Sequence, residues 1–130
     1  MLPLLVEACP SFSEGWNEHK KEYFDEENYL PYIALGAFAR HLVEKLRKGE
    51  TSEFEAIFDA IERLITVGDG YVRDAILIGL FESLQNVSVR EGERNGLRRN
   101  LRPTSAKWWE QVELFWHGQI KYVGETIGKS

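Results

Sequence analysis

Few residues in this sequence have the types and spacing that metal binding requires. The histidines are His19, His41 and His117, and the single cysteine is Cys9. His41 and Glu44 lie one helical turn apart, a spacing used in some di-metal bundles, but those sites need matching ligands on facing helices. Because the sequence has no second pair of this kind, we predict no metal site. We interpret His41 as a partly buried, hydrogen-bonded side chain.

The residue types that could support catalysis also favour structural roles. Cys9 has no activating base beside it in the sequence, so a small structural thiol is the favoured interpretation. The carboxylates of residues 22–27 could include an acid/base pair, although an acidic surface is the commoner arrangement. The sequence contains no glycine-rich phosphate loop, H-E-x-x-H, G-x-S-x-G or C-x-x-C motif. We therefore predict a protein that is not an enzyme, with no catalytic residues and no cofactor.

The net charge of −5 is distributed unevenly along the 130 residues. Residues 1–62 carry 13 acidic and 6 basic side chains, whereas residues 63–130 carry 8 acidic and 10 basic ones. The acidic excess is densest in EHKKEYFDEENY, which predicts a surface for a basic partner, although a solvated helix face explains each carboxylate equally well. The candidate partner-binding residues are Glu18, Glu22, Tyr23, Asp25, Glu26, Glu27 and Tyr29.

The basic excess is densest in VREGERNGLRRNLR, and the guanidinium group is well suited to phosphate. Glu91 and Glu93 dilute this run, and it contains no aromatic residue for base stacking. We therefore predict no nucleic-acid partner, and we expect these arginines to pair with the acidic N-terminal segment. Because residues 87–102 are polar and include Gly92 and Gly96, they predict a loop with at most one short helical turn.

Three of the four tryptophans lie within TSAKWWEQVELFW, which could form either an aromatic cage or part of a core. A cage for a cationic ligand needs three rings facing one pocket, whereas a single helix spreads its rings along its length. Trp109, Val112 and Trp116 form one stripe at helical steps of three and four. We therefore predict that Trp109 and Trp116 are buried in the core and that Trp108 lies at its edge.

Helix signals dominate the sequence, and β-branched alternation is nearly absent, so no strands are expected. Ser52 and Glu55 predict a capping box for a helix with an apolar face, and Gly68 predicts its left-handed end. Asp69 predicts the N-cap of a second helix, YVRDAILIGLFESLQN. Because that helix is apolar on nearly every side, it is predicted to be central.

Further helices precede and follow this pair. Ser11 and Glu14 predict another capping box, at the start of SFSEGWNEHKKEYFDEE. The stretch YIALGAFARHLVEKLRKG has one apolar stripe and is expected to end at Gly49. Thr104 or Ser105 is expected to cap the last helix, which should extend to about residue 122.

These patterns predict one compact all-α domain over residues 1–130, a bundle of about five to seven helices. The GDGYVRDAILIGLFESL stretch also has the D-x-x-VR-x-A character of HEAT-type repeats, which predicts HEAT-like antiparallel helix pairing. No apolar run approaches the ~18 residues that span a bilayer, and the lone cysteine suits a reducing cytosol. We therefore expect a cytoplasmic monomer with no membrane partner.

Two stretches together carry a family resemblance: GDGYVRDAILIGLFESLQN, and LRPTSAKWWEQVELFWHG. They combine a GD-type helix turn, an F-E-x-L-Q-N-like helix end and a P-x-S-x-x-WW segment leading to FW-x-G. This order resembles a family of small bacterial all-helical domains of unknown function. The matching positions are Gly68, Asp69, Phe81, Glu82, Leu84, Gln85, Asn86, Pro103, Ser105, Trp108, Trp109, Phe115, Trp116 and Gly118.

Domains of this kind resemble immunity proteins, which neutralise toxins in bacterial competition systems, including contact-dependent growth inhibition. The resemblance implies a non-catalytic protein that binds a cognate toxin, a basic nuclease domain, and blocks its active site. The alternative is a non-catalytic helical interaction or adaptor domain in another bacterial pathway. The shared motif looks structural, so it supplies no catalytic residues.

Overall fold

The computed structural model describes residues 1–22, 30–88, 90–116 and 118. Within these residues the chain forms seven α-helices and one short 3-10 turn, and no strand is present, so the all-α prediction is confirmed. The elements are α1 (Leu2–Ala8), the 3-10 turn (Pro10–Phe12), α2 (Ser13–Glu22), α3 (Leu30–Arg47), α4 (Phe54–Val67), α5 (70–87), α6 (Glu91–Asn100) and α7 (Pro103–Trp116). No described helix is both long and apolar enough to cross a membrane.

Helix α5 lies at the centre of the fold, as its apolar sequence predicts. It runs without interruption through Gly70–Asp74, a π-helical segment at Ala75–Phe81, and Glu82–Val87. All residues of the π-helical segment except Ile78 are buried. The segment packs on α3, where Gly79 lies against the fully buried Leu35. Close packing on several sides explains why this helix is apolar nearly all round.

Helix α3 ends where the sequence predicts. Gly49 has a φ of +73°, a left-handed conformation that glycine adopts without steric cost. Its N–H donates to the Leu46 carbonyl at 3.1 Å, and the Glu50 N–H donates to the Lys45 carbonyl at 2.9 Å. These two bonds satisfy carbonyl groups that would otherwise lack a partner at the helix end.

Helix α4 buries the predicted apolar face, but the capping motifs predicted for its two ends are both wrong. Ser52 forms no capping box with Glu55, because the chain enters the helix through a turn in which Glu53 already has helical dihedrals. Gly68 ends the helix in an extended conformation, with φ −67° and ψ 159°. A glycine is needed at this position because the backbone lies close to the Leu64 carbonyl, which a Cβ would overlap. Asp69 caps α5 as predicted, and its carboxylate accepts the Val72 N–H at 2.9 Å.

Residues 91–100 form helix α6, so the predicted loop over 87–102 is wrong. One face of α6 packs on the protein, where Leu97 is fully buried and Gly96 contacts α3. At its start, the Glu93 carboxylate accepts the Arg90 N–H at 3.3 Å and also pairs with Arg47 of α3. The sequence pattern is weak because α6 buries only a narrow stripe and is polar elsewhere.

Helix α7 begins at Pro103, before both of the residues predicted to cap it. The cap comes from another helix: the Glu62 carboxylate of α4 accepts the Thr104 N–H at 3.1 Å and the Ser105 N–H at 2.7 Å. Burial raises the pKa of Glu62, but the hydrogen bonds from Ser105 and Thr104 outweigh burial and lower it. The described part of α7 ends at Trp116, so its predicted extension to about residue 122 lies outside the described residues.

Candidate functional site

The predicted partner-binding surface falls largely outside the part of the chain that the structure describes. Glu18 lies on α2 with its side chain exposed, as the prediction requires. Glu22 is the last residue of α2, but its side chain is not described. The other five candidates also lie outside the described residues: Tyr23, Asp25, Glu26, Glu27 and Tyr29.

The described part of α2 has an inner aromatic face and an outer acidic face. On the inner side, the Phe12 ring just before α2 packs edge-on against Phe38 of α3, with ring centroids 5.2 Å apart. Trp16 is half-buried, and the Lys20 ammonium lies 5.4 Å from its ring centroid. Glu14 and Glu18 are exposed and have no ion pair with any described side chain. This anchoring presents the two carboxylates to solvent.

The tryptophans of α7 have different environments. Trp109 is only 2% exposed and packs edge-on against Phe81 of α5 at 5.3 Å, so its predicted core position is confirmed. Trp116 is 57% exposed, so the prediction that it is buried is wrong. Trp116 follows Trp109 by seven residues, so it lies about 10.5 Å further along the helix axis. There Trp116 contacts the partly exposed ring of Phe115 at 5.5 Å.

Trp108 lies at the edge of the core, as the sequence predicts. Its ring is half-buried and packs against core residues. The Arg73 guanidinium of α5 lies 5.3 Å from the ring centroid, a cation–π geometry that links α7 to α5. Trp108 therefore does not line the same pocket as Trp109 and Trp116, which agrees with the interpretation that this segment is not a three-ring aromatic cage.

A polar cluster that the sequence did not indicate joins three parts of the chain. Its centre is Ser11, in the 3-10 turn, whose hydroxyl donates to Glu53 Oε1 at 2.5 Å and lies 2.8 Å from His41 Nε2. Glu53 Oε2 accepts the Ser11 backbone N–H at 3.0 Å. The buried Cys9 thiol lies 3.4 Å from the Ser11 hydroxyl and 3.8 Å from Glu53. The bond to Ser11 confirms the interpretation of His41 as partly buried and hydrogen-bonded.

The geometry of this cluster differs from that of a serine–histidine–acid triad. In such a triad the carboxylate binds the histidine and the histidine takes the serine proton. Here Ser11 donates its single proton to Glu53, which leaves His41 to donate through Nε2. Burial raises the pKa of the Cys9 thiol, and burial followed by the Lys45 charge lowers the pKa of His41. The arrangement ties the turn before α2 to α3 and to the start of α4.

The cluster combines thiol, imidazole and carboxylate groups, which are all possible metal ligands. Among the described residues, no group of three or more histidine, cysteine, aspartate or glutamate side chains could hold a metal ion. His41 and Glu44 do not converge with others on a site, and Glu44 instead pairs with Lys48 at 3.1 Å.

We expect Glu53→Gln to lower the free energy of unfolding by about 1–2 kcal/mol at pH 7, because the amide accepts less strongly from Ser11. Burial raises the pKa of Glu53, but hydrogen bonds from the Ser11 hydroxyl and backbone lower it overall. With a folded pKa below the unfolded value of about 4.3, the carboxylate stabilises the protein above that pH and loses its contribution as pH falls through the folded pKa. Urea unfolding of both proteins at pH 7 and at pH 4 tests this.

The exposed Glu55, on the first turn of α4, provides the control. Glu55→Gln should leave stability nearly unchanged at both pH values, since its carboxylate makes no hydrogen bond with any described residue. The assigned role of Glu53 would be contradicted if both variants lost the same free energy of unfolding. It would also be contradicted if the destabilisation by Glu53→Gln were as large at pH 4 as at pH 7.

The arginines of 90–102 pair with acids different from those expected. Arg98 pairs with Glu113 of α7, and Arg102 Nε lies 2.7 Å from Asp59 Oδ1 of α4. For these two residues the predicted pairing with the acidic segment 18–29 is therefore wrong. Helix α6 packs on α3 and α4, and from it Arg98 reaches Glu113 of α7. These ion pairs hold Arg98 and Arg102 against the protein, whereas Glu14 and Glu18 of α2 have no ion pair with a described side chain.

Residues 2–117 match a protein family described as Domain of unknown function (DUF7674). The chain belongs to this family. No curated protein and no solved structure gave a match. The DUF7674 region begins in α1 and ends just after α7, so it includes the polar cluster, α2 and every described helix.

Within the DUF7674 region, the motif residues that first indicated a family mainly stabilise the fold. Asp69 caps α5, and Phe81 and Leu84 are fully buried. The Gln85 side-chain amide donates to the Trp109 carbonyl at 3.2 Å and so joins α5 to α7. These roles agree with the interpretation of the motif as structural.

Proposed function

We propose that this protein is an immunity protein that binds a cognate bacterial toxin domain, a basic nuclease, and neutralises it by covering its active site. The family resemblance supports this role, and membership of a family of unknown function is compatible with it. The proposed contact surface is the acidic face that begins on α2 and continues into residues 23–29. In this proposal Tyr23 and Tyr29 are the aromatic anchors.

The observation that carries the proposal is that the described acids of α2 are exposed without a described ion pair, in a segment whose sequence continues with further acids. Glu50, Asp59 and Glu113 each form an ion pair within the protein. Glu14 and Glu18 are exposed, on a helix fixed to α3 through Phe12, and pair with no described cation. Unpaired charge on a rigid element accelerates association with an oppositely charged partner.

A second candidate is a non-catalytic helical interaction domain in another bacterial pathway. The exposed rings at the end of α7 favour it, since Trp116 is 57% and Phe115 is 36% exposed. Large aromatic side chains contribute much of the binding energy at many protein interfaces. This surface lies on a different element from the acidic face, so the two candidates predict different binding residues.

Co-expression with any toxin domain found to be encoded immediately upstream tests the first proposal. The full chain should co-purify with that domain and restore growth of cells that express it, and purified chain should inhibit the nuclease at a stoichiometry near one. Growth arrest that the chain does not relieve, together with no binding in solution, would overturn the immunity role. Capture of a non-toxin partner that Trp116→Ala abolishes would favour the adaptor role instead.

Charge reversal at Glu18 tests the acidic surface directly. We expect Glu18→Lys to slow association with the toxin domain by about tenfold at low ionic strength, with a smaller effect on dissociation. The reason is the loss of long-range attraction, which salt screens. Stopped-flow or surface-binding kinetics at two salt concentrations measure this. Glu110→Lys, at an exposed site on α7, changes the net charge equally and serves as the control; equal slowing in both variants would remove α2 from the interface.

A further inference from the structure

A cavity of about 170 Å³ lies where the end of α5 meets α6 and α7, away from the acidic face of α2. Helix α6 contributes Arg94 and Arg98 to its wall, and α7 contributes Trp109, Glu113 and Trp116. This volume is smaller than the roughly 300–1,000 Å³ typical of sites for drug-sized ligands. A matching ligand is therefore about the size of a single ring with one functional group.

Trp109, which contributes to the cavity wall, carries a buried hydrogen-bond donor without a described acceptor. Trp109 is 98% buried, and its indole Nε1 has no acceptor among the described residues. Buried donors are nearly always paired, because an unpaired one costs about 1–3 kcal/mol. The carbonyl of the same residue is satisfied by Gln85. An acceptor on a ligand bound in this cavity would satisfy the indole donor.

The charges around the cavity favour an anionic ligand. Arg98 is held by the Glu113 carboxylate and donates through Nη1 to Asn95 Oδ1 at 3.0 Å. Arg94 donates through Nε to the Ser88 carbonyl at 2.7 Å, which fixes the guanidinium. The two terminal nitrogens of Arg94 donate to no described acceptor. The cavity wall therefore carries two guanidinium groups and one carboxylate, which gives the site a net positive charge. The terminal nitrogens of Arg94 form a fork-shaped pair of donors.

The exposed ring of Trp116 adds an apolar wall to this positive site. An arginine fork binds a planar carboxylate through two parallel hydrogen bonds, and an indole face packs well against another ring. We propose that this cavity binds a small aromatic carboxylate, with the carboxylate at Arg94 and the Trp109 indole N–H, and the ring against Trp116. The proposal is independent of the immunity role, because the cavity residues lie on α5, α6 and α7 and none of them lies on α2.

Two sources could supply this chemistry, namely a free aromatic acid or the C-terminal carboxylate of a peptide ending in phenylalanine. Benzoate and the tripeptide Gly-Gly-Phe are the probes for these sources. Benzamide and the amidated tripeptide are the uncharged counterparts. Tighter binding of benzoate assigns the site to a free acid, and tighter binding of Gly-Gly-Phe assigns it to a chain end; both outcomes support a carboxylate site.

Nuclear magnetic resonance of the full chain provides the readout, since each of the four tryptophans gives one indole N–H signal. Benzoate should shift the Trp109 and Trp116 signals saturably, with a Kd of about 1 mM, and benzamide should not. Arg94→Gln should weaken binding about tenfold or more. Arg99→Gln, on the same helix but outside this cavity, should bind as the parent does. Circular dichroism of each variant checks that it is folded.

Trp116→Ala provides a second variant, because the exposure of this side chain means that the fold does not depend on it. It should weaken benzoate binding several-fold while the Trp109 signal still shifts. The proposal is overturned if benzoate produces no saturable shift at tens of millimolar, or if benzamide binds equally well. It is also overturned if Arg94→Gln and Arg99→Gln lose affinity to the same extent.

Discussion

Trp109→Ala is expected to lower the free energy of unfolding by about 3–5 kcal/mol, the usual cost of removing a large aromatic side chain from a core. The side chain is 2% exposed and contacts Phe81 of the central helix edge-on. Its removal leaves a cavity between α5 and α7 that the surrounding side chains fill only in part. Urea unfolding followed by circular dichroism measures the loss.

Trp116→Ala is the matched control, since it removes the same side chain from the same helix two turns later. With 57% of its surface already exposed, it should change stability by less than about 1 kcal/mol. If Trp109→Ala proves too unstable to purify, Trp109→Phe should show a smaller loss in the same direction. If Trp109→Ala and Trp116→Ala lowered the free energy of unfolding by similar amounts, the difference in burial between the two side chains would not determine their contributions to stability.

Gly79→Ala is expected to destabilise the fold by about 1–3 kcal/mol, although alanine favours helix formation over glycine. A Cβ at this position would lie 2.7 Å from Leu35 Cδ1 and 3.3 Å from Leu35 Cβ. Because Leu35 is fully buried, it has no free space into which to move. The methyl group must therefore push α3 and α5 apart, and thermal unfolding should show a lower Tm.

Gly36→Ala, on the facing helix α3, is the comparison. The nearest atoms to a Cβ there are Arg40 Nη1 at 3.7 Å and Ser83 Oγ at 3.9 Å, which are ordinary contacts. This variant should be stabilised by about 0.5–1 kcal/mol, because alanine loses less conformational entropy in a helix. A stabilised Gly79→Ala variant would show that the interface between α3 and α5 tolerates a wider separation.

Much of the fold follows from sequence because its signals are local. The N-cap role of Asp69 and the helix-ending role of Gly49 follow from the sequence, because each residue acts on backbone groups within five residues of itself. The apolar surface of α5 also depends only on its own residues, and it predicts a central helix whatever packs around it. Local hydrogen-bonding geometry and helical periodicity are therefore enough to locate most of the helices.

The errors occur where the deciding contact is remote in sequence. Glu53 bonds Ser11 across 42 residues, and Glu62 caps Ser105 across 43 residues. Both serines are predicted to be local caps; Ser11 instead donates its hydroxyl to Glu53, whereas the Ser105 hydroxyl accepts the nearby Arg102 N–H at 3.0 Å. Helix α6 was predicted to be a loop because its stability comes from contacts with α3 rather than from its own composition.

The candidate site is less predictable than the fold, for a related reason. Burial of Trp109 and exposure of Trp116 depend on where neighbouring helices end, which periodicity along α7 does not specify. The cavity beside them exists because α5, α6 and α7 meet, so no one segment contains its pattern. For the acidic surface, the structure adds that Glu18 faces outward without a described partner cation.

The bond from Glu62 to the start of α7 has a consequence for how the molecule opens. The Thr104 and Ser105 amides are protected by a side chain of α4 rather than by carbonyls of their own helix. Their protons therefore exchange with solvent only when α7 separates from α4, whether or not α7 itself stays helical. Hydrogen exchange at these two amides reports the undocking of α7, and similar rates at the Trp109 amide would identify α4 and α7 as one cooperative unit.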